Sequence, residues 1–215
     1  MLAAIAIAVV AGGLTAGVGT ATAAGSADLW YFLPLVSGSV DLPGCPGDFY
    51  RYAAPKQAGD VTAQKTVISP AVPGSSFESL DWFEVAGNET KNVQRVTDYP
   101  PSAAYKLRSV RIQWRELDTG ELRTETQPPT SIDRQTGAVT VTGNWPARDD
   151  AFRLGNPGFL FEYDVPWTVE IGSVQESGVG FTATGLAPQD WPVMDGAGLE
   201  IVEGPAICRY RSGNQ

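Results

Sequence analysis

Histidine is absent from all 215 residues, and cysteine occurs only twice. Without imidazole the chain cannot assemble a Ser-His-Asp or Cys-His nucleophilic centre. An HExxH zinc site or a two-histidine, one-carboxylate iron site is equally closed to it. Basic residues are scarce as well: 15 Lys and Arg stand against 24 Asp and Glu, for a formal charge of −9. A sequence pI near 4.5 leaves no basic footprint for non-specific nucleic-acid binding, so nucleic acid is not an expected partner. A Gly-rich phosphate loop is also missing, because Gly178-Val-Gly180 has neither the lysine nor the following helix of a P-loop. What survives is carboxylate chemistry, a Ser-Lys pair, or binding without chemistry. No cofactor and no metal is expected.

Charge is missing in a second, local sense. The first 24 residues carry no charged side chain; they open on the apolar run Met1 to Val10 and close on Ala21-Thr-Ala-Ala24. A hydrophobic run followed by a small-x-small site is the pattern of a secretory signal peptide, cleaved after Ala23 or Ala24. The stretch, at about 20 residues, is also long enough to remain as an uncleaved anchor. Ala, Gly and Thr make it only mildly hydrophobic, however, and no Lys or Arg precedes it. No cysteine follows the leader, so a lipoprotein anchor is not expected, and the Ala/Gly/Val bias resembles leaders of high-GC bacteria. No second apolar run reaches spanning length, so no membrane association is expected once the leader is removed. The expected organisation is a signal peptide over 1–24 and a single domain over 25–215. It is secreted, extracellular or held in the cell envelope.

In that oxidising setting Cys45 and Cys208 are expected to form a disulfide. The bridge would close a loop of about 160 residues and contribute on the order of 5 kcal/mol in the chain-entropy model. Two free thiols are the alternative, and exposed thiols outside the cell are prone to oxidation.

The remaining chain, about 190 residues, is enough for one sizeable core. It reads as short strands between Pro, Gly, Ser and Asp turns, with almost no helical periodicity. The longest alternation runs from Phe159 to Ile171, where every odd position, Trp167 included, is apolar. One face is therefore expected on a core and the other in water. Pro166 cannot donate to a ladder, so the strand is expected at a sheet edge there, or bulged and broken in two. A second alternation, Val110, Ile112, Trp114, is followed by the turn Asp118-Thr-Gly120 and a returning strand over 122–126. Arg111 and Arg115 are expected outward, opposite Arg123 and Glu125. A third hairpin is expected over 132–139, with Asp133 paired to Ala138, Ile132 facing Val139 and Val141 continuing inward. Further strands are expected over 29–40, 62–68, 80–85, 180–184 and 199–210. Loops are expected over 52–60, 69–76, 98–104 and 187–192. Many half-buried strands in one domain point to an all-β fold, a single antiparallel β-sandwich.

The hairpin Ile132-Asp-x-x-Thr-Gly-x-Val139 resembles one that recurs in cadherin-like and bacterial immunoglobulin-like surface domains. The resemblance covers eight residues, and it implies an immunoglobulin-like sandwich of the adhesive or extracellular-matrix sort. The acidic calcium-ligand motifs of cadherins are not matched, so calcium bridging is not carried over.

Few residues stand out as chemistry. Glu162 and Asp164, with Glu170 further on, share the polar face of the long strand. Such a pair is either a general acid and nucleophile, at about 5 Å for a retaining glycosidase, or a solvated face that guards an edge. Asp149-Asp150 and Asp195 are loop aspartates without the dense spacing of a Ca²⁺ site; they are expected to bond their own turns. Trp145 and Trp191 each precede a proline in an expected loop. With Asn144 beside the first, they are candidates for stacking on a sugar ring, or else caps over the end of the core. Lys106, Arg108, Arg111 and Arg115 form the densest basic patch, read as cross-strand pairing or as a contact for an anionic envelope partner. Asn88-Glu-Thr90 is a glycosylation sequon by pattern only.

Together these features point to a non-catalytic binding or structural module whose partner is an envelope polysaccharide or a surface protein. A carrier holding an apolar ligand between its sheets, or a carboxylate-dependent secreted glycan hydrolase, are the alternatives.

Overall fold

A computed structural model describes residues 49–204 apart from 88, 117 and 150–155. The expected leader, Cys45, Cys208, the 29–40 strand, Asn88, Asp150 and the end of the 199–210 strand lie outside the described residues. Among the described residues there is no helix, and the protein is all-β. The strands in chain order are β1 (Phe49–Tyr52), β2 (Lys56–Ala58), β3 (Val61–Ser69), β4 (Ser76–Val85), β5 (Thr90–Tyr99), β6 (Lys106–Arg115) and β7 (Leu122–Thr126). They continue as β8 (Thr130–Ile132), β9 (Val139–Arg148), β10 (Gly158–Asp164), β11 (Val174–Glu176), β12 (Gly178–Ala183), β13 (Gln189–Trp191) and β14 (Gly198–Glu200).

These strands form three antiparallel sheets. The largest has the order β1-β3-β4-β10-β6-β7, with β2 also paired to β3. The second has the order β13-β12-β5-β9-β8, and β11 pairs with β14 in the third. Period-2 alternation supplies the buried faces. Val61, Ala63 and Val67 of β3, Phe77, Phe83 and Val85 of β4, and Phe159, Phe161 and Tyr163 of β10 are buried on the first sheet. Val93 and Val96 of β5, Val139, Val141 and Trp145 of β9, and Val179 and Phe181 of β12 answer them from the second. All belong to one hydrophobic cluster. Rings meet across the two sheets: Phe83 and Phe181 at 4.9 Å, and Trp145 edge-on to Phe159 at 4.8 Å. Fully burying an aliphatic or phenylalanine side chain is worth about 1.5–3 kcal/mol, so this shared layer is the main source of cohesion. On the opposite face of the first sheet Leu80, Trp82 and Leu160 are buried too.

The two expected hairpins form. Ile132 pairs with Val139, the Asp133 N–H donates to Ala138 O at 2.9 Å, and Gly137 takes φ +78°. Asp133 Oδ1 accepts from the Gln135 N–H at 2.8 Å and closes the turn locally. The second hairpin returns as β7, with Gly120 at φ +65°. Its register corrects the expectation: Arg111 stands opposite Thr126, Arg115 opposite Leu122, and Arg123 opposite Trp114. The loop closes between Glu116 and Glu121, where the Glu121 carbonyl accepts from the Glu116 N–H at 3.0 Å, and this sets the register.

The long alternation is also corrected. β10 stops at Asp164 and lies between β4 and β6, away from any edge. Val165 remains buried, but Pro166, without an N–H, takes the chain out of the ladder into a turn. Trp167, expected inward, is 65% exposed and its ring lies over Gly74, where a Cβ would meet the indole at 2.5 Å. Ile171 is exposed as well. Two expected loops contain short strands, β2 and β13, and β5 had no counterpart among the expected strands.

Candidate functional site

The inward rows that build the core are interrupted by a cluster of five polar residues. Lys65 follows Val61 and Ala63 on β3; Ser79 and Asp81 fall between Phe77 and Phe83 on β4; Tyr163 follows Phe161 on β10. All face Asp98 of β5, in the other sheet. The Lys65 amine donates to Ser79 Oγ at 2.7 Å and to Asp81 Oδ1 at 3.1 Å, and it also contacts Asp98 Oδ2. Ser79 Oγ lies 2.9 Å from the same Asp98 Oδ2, and the Tyr163 hydroxyl donates to Asp98 Oδ1 at 2.6 Å. Each of the five is at most 1% exposed.

Burial works against the charge on Lys65, but Asp81 and Asp98 outweigh it and hold the amine above the usual lysine range. Burial pushes the Asp81 carboxyl well above the usual carboxylate range; Lys65 opposes this and Asp98 adds to it. Asp81 Oδ2 has no hydrogen-bond partner, which fits a protonated acid better than an anion. Burial and the Asp98 carboxylate likewise keep the Tyr163 phenol neutral, as a donor. Asp98 has Lys65, Ser79 and Tyr163 around its two oxygens. The site therefore gathers an amine, two carboxyl groups, a hydroxyl and a phenol in a dry space between the strands. A lysine and two aspartates on otherwise apolar strand faces were the signal available in the sequence.

The residues singled out from sequence are dispersed. Trp145, expected in a loop as a sugar platform, is instead a core residue of β9, 2% exposed. Its indole lies over Gly143, where a Cβ would sit 2.4 Å from the ring. Asn144 next to it is exposed at a register shift in the β5–β9 pairing. Trp191 lies on the edge strand β13, half-buried, with its ring 5.9 Å from Phe181. Its register through Val179 and Asp98 reaches Val139. Asn144 is therefore roughly 20 Å from Trp191 by strand rise and spacing, and the two do not share a site.

Glu162 and Asp164 converge on one arginine. Arg108 lies 3.2 Å from Glu162 and 3.7 Å from Asp164. Ser109 Oγ and Ser76 Oγ donate to Glu162 at 3.0 and 3.3 Å. Asp149 accepts from the Gly87 N–H at 3.2 Å, so it bonds the backbone of a distant segment and not that of its own turn as expected. Arg115 donates to the Gly120 carbonyl at 2.6 Å. Among the described residues no group of three or more Asp, Glu, Cys or His side chains is gathered as for a metal ion.

No family model matches this chain, and no curated protein matches it. Solved structures resemble it at low identity. One is AvmM, which catalyses macrocyclization in alchivemycin A biosynthesis, with a TM-score of 0.31, 11% identity, and coverage of 72% of this chain and 98% of that one. A Corynebacterium diphtheriae protein described as membrane anchored has a TM-score of 0.40 and 11% identity; 79% of this chain matches 39% of that one. Spo0M, a sporulation control protein from Bacillus subtilis, has a TM-score of 0.29 and 12% identity; 68% of this chain matches 51% of that one. This chain thus spans about two-fifths and one-half of the latter two.

Proposed function

We propose that this protein is an exported, non-catalytic β-sandwich of immunoglobulin-like architecture, acting outside the cytoplasm as a structural or binding module. The observation that carries the reading is the placement of its reactive groups. Lys65, Asp81, Asp98 and Tyr163 are sealed between the sheets, while the exposed carboxylates Glu162 and Asp164 are engaged by Arg108. A surface so arranged is suited to contact rather than turnover. In this reading the leader over 1–24 directs export, and residues 25–215 form one domain closed by a Cys45–Cys208 disulfide. The partner is an envelope polysaccharide or a surface protein. Trp191, half-buried on β13, the outermost strand of its sheet among the described residues, is the aromatic best placed to touch it.

Fractionation of the producing cell tests the location: the chain is expected in the envelope or medium, shortened at its amino end. Its mass is expected to rise by two hydrogens on reduction. Recovery from the cytoplasm with both thiols free overturns the reading. Co-sedimentation with purified envelope polysaccharide, lost in Trp191→Ala and kept in Asn144→Ala, identifies the glycan partner. Retention only by protease-sensitive envelope material identifies a surface protein instead.

A further inference from the structure

We propose that Lys65 and Asp98 become joined by an intramolecular amide bond that links β3 of one sheet to β5 of the other, with Asp81 as the catalytic acid. The geometry meets the requirements of the reaction. The Lys65 amine is in contact with Oδ2 of Asp98, so it adjoins the carboxyl carbon it would attack. Asp81 Oδ1 lies 3.1 Å from the same amine, and the other Asp81 oxygen has no partner. Tyr163 donates to Asp98 Oδ1 at 2.6 Å, where negative charge would grow in the tetrahedral intermediate. Ser79 Oγ, 2.7 Å from the amine and 2.9 Å from Asp98 Oδ2, holds the pair in line.

The step balances without any co-reactant. A proton passes from the Lys65 ammonium to the Asp98 carboxylate, leaving a neutral amine and a carboxylic acid. The nitrogen lone pair forms a bond to the Asp98 carboxyl carbon. Asp81 gives its proton to the departing hydroxyl and takes one from the nitrogen, so it ends as it began. The C–O bond breaks and one water leaves. Two features drive the exchange. The reacting groups are held at contact distance, which removes the entropic cost of encounter. The product replaces two desolvated charges with a neutral amide, and in a dry interior this favours condensation.

The test is denaturing mass spectrometry of the full chain purified from its producing cell and reduced, followed by trypsin digestion. The expected result is a mass lower by one water and a branched peptide joining the segments that contain Lys65 and Asp98, with no cleavage after Lys65. Asp98→Asn is expected to reach the same linked product by releasing ammonia, and Asp81→Asn to remain unlinked at full mass. A wild-type mass with no loss of water, together with ordinary cleavage after Lys65, overturns the proposal. Water loss without a branched peptide overturns it equally. The wild-type measurement decides the matter even where a variant fails to fold, and it is independent of where the protein resides.

Discussion

The Tyr163 hydroxyl donates to Asp98 Oδ1 at 2.6 Å, tying an interior strand of one sheet to the middle strand of the other. A hydrogen bond to a charged group is worth about 1.5–3 kcal/mol. In the unlinked Asp81→Asn background, where Asp98 keeps its carboxyl group, Tyr163→Phe keeps the ring, including its 5.4 Å stack on Phe77, and removes only the donor. Urea denaturation is expected to show a loss of about that size with an unchanged slope. A loss below about 0.5 kcal/mol would show that this bond does not hold the sheets together.

The same phenol sets an alkaline limit. Burial and Asp98 raise Tyr163 well above its ordinary value of 10.0, and burial pushes Tyr105 up to about 12. A raised folded-state value contributes stability that is complete below the unfolded value and lost as pH climbs through the folded one. The denaturation midpoint is therefore expected to fall from pH 10 upward, through about 12 for Tyr105. Tyr163→Phe should flatten that decline, and a variant whose alkaline slope matches the wild type would contradict this assignment.

Trp145 is predicted to matter to stability and not to ligand contact. Trp145→Ala leaves a cavity beside Phe159 and is expected to cost about 3–5 kcal/mol by chemical denaturation. Carbohydrate retention per folded molecule should be unaltered. A stable variant with lost retention would restore the surface role that its burial denies.

Gly137 and Gly87 both take positive φ, at 78° and 86°, but only one is crowded. A Cβ at Gly137 would lie 2.8 Å from Ala103 Cα, whereas at Gly87 nothing lies within 4 Å. Gly87→Ala is expected to cost about 1 kcal/mol for its backbone alone. Gly137→Ala should cost clearly more, because backbone cannot rotate aside. Equal thermal shifts for the two variants would refute the collision.

Where structure is specified locally, the sequence was readable. The β8–β9 hairpin is encoded in one turn: Asp133 bonds its own backbone and Gly137 supplies the φ. β7 is similarly set by the loop that precedes it. β5 escaped because its inward valines, Val93 and Val96, are three apart. A register shift between Val93 and Arg95 breaks the period of two, and the next inward residue is the polar Asp98. Trp145 was misplaced because Pro146 suggests a loop. That proline lies beyond Val141, the last β9 residue paired to β8, so its missing donor leaves no β8 bond unmade. Trp167 fits the alternation of its neighbours, yet Pro166 takes the chain out of the ladder first.

The polar cluster was legible only as an anomaly. Lys65 occupies the apolar phase of β3, and Asp81 that of β4, and neither position reveals its partner. The missing term was tertiary: Asp98 comes from a different sheet, and no local pattern relates the two.

β10 has one further consequence, for the order of assembly. It sits between β4 and β6, which precede it by many residues, so that half the large sheet has no link to the other half until Gly158–Asp164 arrives. Such distant pairing is slow to form and leaves both neighbouring strands with raw margins in the meantime. A nascent chain ending before Gly158 therefore carries two sticky rims, and a single seven-residue segment turns both into interior at once.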